Sequence, residues 1–474
     1  MFPKLPSRTS SLPLKNAKKH IANDGSILTT VKSAEDTLSE IIQPCKRIGV
    51  TRISDITHLD KLRIPNYSAV LPGTEDSIWV YSGKGSTRAH ARASALMEAI
   101  ERHSSLSSTN PKCFIQGTFL ELSKSYNKVL HPDEVVEPVN QSFNDKDSIM
   151  DFLPGYDMLA KEEILVPAQL ALSKYIANPH SVHVFSYTHT NGLASGNVME
   201  EAICHALCEV IERDASSIAD LCASSMPHNI LVKLTNSLES NCGYQIARFS
   251  AEDKFVDDPS IFPDVDISEI SNDFGPLRSL VKRYAKAVIP LLVKDITQKD
   301  IGIATFVASS IEWISHDYGY FAKGHGTHPD ARIALIRAIT EVSQTRAANI
   351  QGARDDLNKV RYRENDEIYK RKWQFMPASL SPFHQESVKN VEFSKIKTYT
   401  NKYILDDIRL ILNSLKQAGL KRAIIVDLTN PSIGIPVVRA IVPGLETFEV
   451  AKYTDGESFI GKRAKKRFRE EFNC

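Results

Sequence analysis

Hydrophobic positions recur with a helical period in several long stretches of the chain, and short apolar runs separate these stretches. A period of 3.6 residues is typical of a half-buried helix, whereas short β-branched runs are typical of strands. This pattern predicts helices around Lys32 and over 88–106, 198–223, 330–350 and 405–418. It predicts strands over 78–81, 288–293, 303–307, 423–428 and 436–442. Because helices and strands alternate, the predicted fold class is α/β (α+β).

Three of the predicted helices carry the same polar pattern in the same register. Each has two polar residues three positions apart: Glu98 and Glu101, Glu209 and Glu212, Glu341 and Gln344. An arginine accompanies each pair, and these are Arg102, Arg213 and Arg337. A glycine turn is predicted before each helix, at Gly85, Gly196 and Gly326. We therefore predict an internally repeated strand–helix unit.

Carboxylates three positions apart lie on one face of a helix. Here that face borders alanine, leucine and isoleucine, and a partly buried acid is costly unless it meets a cation or hydrogen-bond donors. If the first two helices face each other, four carboxylates converge, and Mg²⁺ suits such a site together with substrate phosphates. For one helix alone, a solvated face with Glu–Arg pairs is the alternative. Three such helices in register favour a site.

Composition narrows the class of protein. The chain has 474 residues, of which 42% are hydrophobic and 24% charged, as in an ordinary globular protein. A formal net charge of +1 gives no global attraction to nucleic acid or membrane. The sequence has no apolar run long enough to span a bilayer and no secretory signal pattern, so a cytoplasmic location is expected. Its seven cysteines are scattered, which argues against a disulfide framework.

The sequence also lacks the usual phosphate-binding loops. Neither G-x-x-x-x-G-K-[ST] nor G-x-G-x-x-G occurs. A nucleotide would therefore bind through carboxylates that share metal ions with its phosphates.

At these residues the chain resembles the YcaO family. The motifs read Ser94-x-x-x-Glu98-x-x-Glu101-Arg102, Asn197-x-x-x-Glu201, Glu209-x-x-Glu212-Arg213 and Arg337-x-x-x-Glu341-x-x-Gln344, and Gly352-Ala-Arg-Asp-Asp follows the last of them. The resemblance covers about residues 30–445. It implies a YcaO-type fold built around a central acidic site for ATP and Mg²⁺.

The resemblance also implies which residues bind these cofactors. The implied metal ligands are Glu98, Glu101, Asn197, Glu201, Glu209, Glu212 and Glu341. The same seven residues and Ser94, Arg213, Arg337 and Gln344 are implied contacts of the nucleotide. Lys32 and Ser39 match a Lys–Ser pair that family members use for the nucleotide, although a solvated helix face is the alternative for these two. The catalytic residues stay unassigned.

The implied activity is ATP-dependent activation of a peptide-backbone amide, whose oxygen attacks the γ-phosphate. The chain ends in Glu470-Glu-Phe-Asn-Cys474, without the proline-rich tail common in ring-forming members, and this favours formation of a thioamide from external sulfur. Three alternatives stay open. They are an azoline-forming cyclodehydratase, an accessory factor for methylthiolation of a ribosomal protein, and an ATP-binding scaffold without catalysis.

We expect a mobile tail over 1–24, a catalytic core over 25–370 and a C-terminal part of the same domain over 371–474 with a basic tail. The basic run 462–469 is either a docking site for an acidic leader or a solvated helix face. The resemblance implies a peptide or protein substrate, a TfuA-type partner that handles sulfur, and a homodimer. Neither nucleic acid nor a membrane is an expected partner.

Overall fold

The protein is described here by a computed structural model. The described residues are 14–21, 29–73, 78–108, 114–126, 128–137, 139–185, 188–223, 260–268, 274–313, 318–351, 375–377, 383, 385–447 and 461–472. The motif that begins at Gly352 lies outside these residues.

Helices and strands alternate along the described chain. The helices are α1 (Ala34–Arg47), α2 (Arg88–Ser104), α3 (Phe119–Ser125), α4 (Ala168–Ala171), α5 (Met199–Cys222), α6 (Gly275–Ala287), α7 (Ala331–Gln351), α8 (Ile404–Gln417) and α9 (Lys462–Phe472). The strands are β1 (Arg52–Asp55), β2 (Asn66–Pro72), β3 (Ile78–Lys84), β4 (Ile115–Gly117), β5 (Met150–Asp157), β6 (Glu162–Pro167), β7 (Leu193–Ser195), β8 (Asp264–Asp266), β9 (Leu292–Asp295), β10 (Thr305–Trp313), β11 (Tyr318–Thr327), β12 (Phe375–Pro377), β13 (Asn390–Glu392), β14 (Ile424–Asp427) and β15 (Val437–Ile441). The predicted α/β class is confirmed.

The strands form three sheets, each next to one of the motif helices. The first has the order β1-β2-β3, and α2 packs on it. The second has the order β4-β5-β14-β15-β7, with β6 beside β5, and α5 packs on its β15 and β7 strands. The third has the order β12-β11-β10-β9-β8-β13, and α7 packs on β10 and β11. The repeated sequence pattern therefore corresponds to three helices that each cover a sheet.

The motif helices begin and end close to their predicted bounds. The Thr87 side chain caps α2, since its hydroxyl accepts a hydrogen bond from the His90 backbone N–H at 3.2 Å. The predicted strand over 288–293 is mostly wrong, because Val288 ends α6 in a left-handed conformation (φ 56°) and β9 begins only at Leu292. The helix α6 itself was not predicted.

Two glycines allow helices to lie directly against strands. A Cβ on Gly83 would lie 2.1 Å from the Ala95 backbone nitrogen of α2. A Cβ on Gly326 would lie 1.9 Å from the Ala334 carbonyl oxygen of α7. Gly326 is part of β11 and not of a turn, so its predicted role in a turn is wrong. Its use is close approach of the two backbones.

Both ends of the described chain are attached to the rest of the fold. Within the predicted tail, residues 14–21 are described, and Lys19 forms a buried ion pair with Asp407 of α8. At the other end, Arg463 of α9 forms an ion pair with the buried Asp214 of α5 at 2.9 Å. Part of the basic run thus holds α9 on the body of the protein. Among the described helices, none has the length and apolar character needed to cross a membrane.

Candidate active site

Two adjoining cavities lie between the three motif helices. The first has a volume of about 440 Å³, and the second has a volume of about 390 Å³. They share a wall formed by Thr29, Thr30, Lys84, His90, Ser94, His205, Glu209 and Arg337. Because α2, α5 and α7 each contribute to this wall, the repeated motif meets at one place.

Most of the predicted site residues line these cavities. The first cavity is lined by Ser94, Glu209, Glu212, Arg213, Arg337 and Glu341. The second is lined by Ser94, Glu98, Glu101, Asn197, Glu201, Glu209, Arg337 and Gln344. Side chains that are far apart in the sequence are thus brought together as the register of the three helices predicts.

Lys32 and Ser39 are the predicted residues that line neither cavity. The Lys32 ammonium pairs with Glu40 at 2.5 Å. The Ser39 hydroxyl donates to the Asp36 carbonyl within α1 at 2.7 Å. Thr29 and Thr30, which precede Lys32 in the chain, do reach both cavities.

Hydrogen bonds from the end of β7 and from the loop that follows it fix two of the buried carboxylates. The Ser195 backbone N–H donates to Glu101 at 3.1 Å. The Asn197 backbone N–H and side-chain amide donate to Glu201 at 2.7 and 2.9 Å. These bonds set the direction of the two acids before any ligand binds.

Burial and crowding disfavour ionisation of most of the acids. Burial, with Glu209 and Glu98 nearby, raises the pKa of Glu101 to about 8, although Arg102 acts in the opposite direction. Burial also raises the pKa of Glu201 and of Glu209. Burial and the neighbouring Glu341 raise the pKa of Glu212. A bound cation would therefore stabilise the ionised form of these acids.

Glu341 behaves differently because it has a cation beside it. Burial acts to raise its pKa, but Lys84 lowers it below the usual range of a glutamate. Lys84 forms an ion pair with Glu341, and the His325 Nδ1 atom lies 3.9 Å from the same carboxylate. This acid is therefore ionised at neutral pH.

Other cations surround the cavities. Arg102 pairs with Glu98 at 3.3 Å. Arg337 donates to the Thr327 carbonyl at 3.1 Å, which directs its guanidinium along the wall of both cavities. Together with Arg213 and Lys84, these groups offer several donors for anionic oxygens.

Several residues near the cavities were missing from the predicted site. Lys84 follows Gly83 at the end of β3, and His325 lies between Gly324 and Gly326 of β11. His205 precedes Glu209 by one helical turn, a spacing that places both on one face and that could have identified it. Arg439, 2% exposed on β15, lies behind Glu209 and Glu101, and burial lowers its pKa to about 10. No sequence pattern pointed to Arg439, because β15 reaches the site only through the sheet.

Two of the three histidines that line the first cavity, His205 and His325, are neutral at neutral pH. Burial lowers the pKa of His325 to about 4, and Lys323 acts in the same direction. The His205 side chain is exposed to the cavity, and the protein atoms packed around it, with Arg337 and Lys84, lower its pKa. A neutral imidazole can accept a proton from a reacting group.

The donor set fits a magnesium–nucleotide site. Mg²⁺ prefers carboxylate oxygens and phosphate oxygens, and the cavities combine several carboxylates with Lys84, Arg213 and Arg337. The carboxylates are thus suited to metal ions and the cationic side chains to phosphate oxygens.

Comparison with known families gives one match to most of the chain. A family model described as "YcaO cyclodehydratase, ATP-ad Mg2+-binding" matches residues 82–446. The expected cofactors, ATP and Mg²⁺, are those of this family.

Two relatives from other organisms align along nearly the whole chain. An uncharacterized protein of Methanothermobacter thermautotrophicus is 32% identical over 416 residues, which cover 88% of this chain and 94% of the relative. An uncharacterized protein in the tfuA 3′ region of Rhizobium leguminosarum bv. trifolii is 27% identical over 440 residues and 90% of each chain.

Solved structures show a similar fold. YcaO from Methanopyrus kandleri bound with AMPPCP and Mg²⁺ matches with a TM-score of 0.61 and 19% identity, over 91% of this chain and 95% of that one. A heterocyclase in complex with substrate and cofactor matches with a TM-score of 0.65 and 22% identity, over 92% of this chain. The chain spans about half of that heterocyclase, 54%.

Proposed function

The chain belongs to the YcaO family of ATP-dependent peptide-modifying enzymes, and on that premise we propose that it converts a backbone amide of a peptide or protein into a thioamide. The observation that carries the proposal is the convergence of buried carboxylates with Lys84, Arg213 and Arg337 around two adjoining cavities.

The metal ligands of the proposed site are side-chain oxygens from all three motif helices and the loop before α5. They are Glu98, Glu101, Asn197, Glu201, Glu209, Glu212 and Glu341. When bound, Mg²⁺ offsets the negative charge of the ATP phosphates and of the transferring phosphoryl group. The raised pKa values of Glu101 and Glu209 fit this role, because a buried carboxylate without a cation tends to take up a proton.

The chain's own cations act on the anionic oxygens. Lys84, Arg213 and Arg337 line the first cavity and would donate hydrogen bonds to phosphate oxygens. Ser94 and Gln344 border the second cavity and would orient the nucleotide.

The proposed reaction transfers the γ-phosphoryl group of ATP to the amide oxygen and then replaces that oxygen by sulfur. The amide oxygen attacks the γ-phosphorus of ATP, the bond to ADP breaks, and hydrosulfide adds to the amide carbon. The phosphorylated oxygen then leaves as inorganic phosphate while a C=S bond forms. The S–H proton passes to a base, for which the neutral imidazole of His325 on the wall of the first cavity is the candidate.

Two observations bear on the choice of sulfur as the nucleophile. The relative in the tfuA 3′ region favours a sulfur-handling partner of the TfuA type. The description of the family model favours the second candidate, cyclodehydration, in which a Cys, Ser or Thr side chain of the substrate attacks the same carbon and an azoline forms. Both outcomes use the same activation of the amide oxygen.

A coupled assay separates these outcomes. The purified full chain is incubated with Mg²⁺-ATP, sulfide and candidate peptides, with and without a TfuA-type protein, and ADP release and peptide mass are followed together. Replacement of one oxygen by sulfur in step with ADP release is the expected result. Loss of water without sulfide would replace the thioamide proposal by cyclodehydration. Nucleotide binding without turnover on any peptide would leave a scaffold.

A further inference from the structure

A third depression lies outside the two active-site cavities. It has a volume of about 820 Å³ and is bordered by residues 61–63 and by one side of α6. Its charged lining residues are Lys61, Arg63, Arg278, Lys282, Arg283 and Lys286. None of the described residues that line it is acidic. We call this depression the basic groove.

The sequence of α6 separates an apolar face from a basic face. Leu277, Leu280 and Tyr284 are buried against the third sheet and α7. Arg278, Lys282 and Lys286 follow one another at four-residue intervals and are exposed. A rise of 1.5 Å per residue places successive members of this series about 6 Å apart along the helix. The basic face is therefore a ladder of charges.

Part of this positive charge is already compensated and part is not. Lys61 pairs with Glu312, and Arg283 donates to the Arg63 carbonyl at 2.6 Å, which joins the two walls of the groove. The described part of the chain places no carboxylate in an ion pair with the ladder on α6. For a protein with a formal net charge of only +1, this is a marked local excess of positive charge.

The groove begins where the first active-site cavity ends. Phe274 and Pro276 line the first cavity, and Gly275, between them, lines the basic groove. The start of α6 therefore borders both spaces. A polypeptide bound along the ladder would reach the wall of the active site at this turn.

We propose that the basic groove binds an acidic segment of the substrate polypeptide and so holds the amide to be modified at the first cavity. This inference rests on the proposed function, because the occupant is taken to be the substrate. The basic run on α9 is less suited to this role, since Arg463 is engaged by Asp214 and Asp300.

The spacing of the ladder and the lining of the groove favour a peptide over a nucleic acid as the occupant. Side chains on one face of an extended peptide recur about every 6.7 Å, close to the spacing of the ladder. Sites for single-stranded nucleic acid combine a basic groove with aromatic side chains that stack on bases. The described lining of the groove contains no aromatic residue.

The test measures binding without ATP. A short fluorescent peptide in which glutamate alternates with serine is titrated with the full chain, and fluorescence anisotropy is recorded at low and physiological salt. A glutamine–serine peptide and a single-stranded oligonucleotide of equal charge serve as comparison probes. The variant is Arg278→Gln/Lys282→Gln/Lys286→Gln. The matched control is Lys395→Gln/Lys397→Gln/Lys416→Gln, which removes three exposed lysines elsewhere, and thermal unfolding checks the fold of both variants.

We expect the acidic peptide to bind the wild type and to bind it more weakly as salt rises. Its affinity should fall about tenfold in the α6 variant and stay unchanged in the control variant. Equal affinity in the α6 variant and the wild type would overturn the proposal. Tighter binding of the oligonucleotide than of the peptide, lost in the same variant, would replace it by a nucleic-acid site. Because the assay contains no ATP, its failure is distinguishable from failure of the proposed amide activation.

Discussion

Lys84 on β3 forms an ion pair with Glu341 on α7, although 257 positions separate the two residues in the sequence. The pair joins the first sheet to the third motif helix across the first cavity. It also explains why Glu341 is ionised while the neighbouring Glu212 resists ionisation. The charge state of the acidic site is thus set by a residue that belongs to another sheet.

Replacement of Lys84 should therefore impair turnover more than it impairs folding. In Lys84→Met, Glu341 loses its partner and the first cavity loses a donor for phosphate oxygens. We expect the rate of ADP release to fall by about 100-fold or more, as for loss of one preorganised donor. Lys84→Arg should recover part of the rate. Lys395→Met, which removes an exposed lysine paired with Glu392, is the matched control. A wild-type rate in Lys84→Met would exclude the assigned role.

The carboxylate and the arginine of the second motif helix give a related prediction. Glu209→Gln and Arg213→Ala should each abolish ATP turnover, because one removes a proposed metal ligand and the other a proposed phosphate contact. Glu209→Gln should leave the metal-free fold intact, since burial already disfavours the charge that it removes. ADP release and Mg²⁺-dependent nucleotide binding by calorimetry are the measurements. The control is Glu392→Gln, at an exposed position. Full activity in both test variants would contradict the site assignment.

Helical register made much of this site predictable. Glu98, Glu101, Glu209, Glu212 and Glu341 could be assigned from sequence, because spacing within one helix fixes the face on which a side chain lies. Their convergence around two adjoining cavities followed from the repetition of that pattern in three helices.

Contacts that depend on the packing of distant elements were not predictable in this way. Lys84 and Arg439 reach the site through sheets whose strand order has no local signal in the sequence. The helix α6 did have such a signal, with Leu277, Leu280 and Tyr284 at helical spacing. That its basic face lies beside residues 61–63 and next to the first cavity could not be predicted from this local signal.

The raised pKa of Glu101 gives a pH dependence of stability with a definite sign. Its pKa is about 8 in the folded protein, against a usual value of 4.5. Below pH 4.5 both states are protonated and the group has no effect on stability. As pH rises from 4.5 towards 8, Glu101 ionises in the unfolded chain but stays protonated in the folded protein. The free energy of unfolding therefore falls by ~1.4 kcal/mol for each pH unit.

Thermal unfolding of the metal-free protein between pH 5 and pH 8 tests this dependence. We expect the wild type to lose stability with rising pH relative to Glu101→Gln, which cannot ionise. Mg²⁺ with a non-hydrolysable ATP analogue should reduce the loss in the wild type, because a bound cation stabilises the carboxylate. Parallel pH profiles for the wild type and Glu101→Gln would show that Glu101 is not the group responsible.

The close approach of β11 and α7 makes Gly326 a sensitive position. In Gly326→Ala the new Cβ would meet the Ala334 carbonyl oxygen at 1.9 Å, and a backbone atom cannot move away as a side chain can. We expect the free energy of unfolding to fall by about 1–3 kcal/mol or more. Gly275→Ala is the matched control, because its Cβ would meet no atom within 4 Å. Since α7 carries Arg337 and Glu341, a shifted helix should also weaken nucleotide binding in Gly326→Ala. Equal unfolding midpoints for the two variants in denaturant would show that β11 and α7 can move apart at little cost. The close approach of their backbones would then not be what positions the third motif helix.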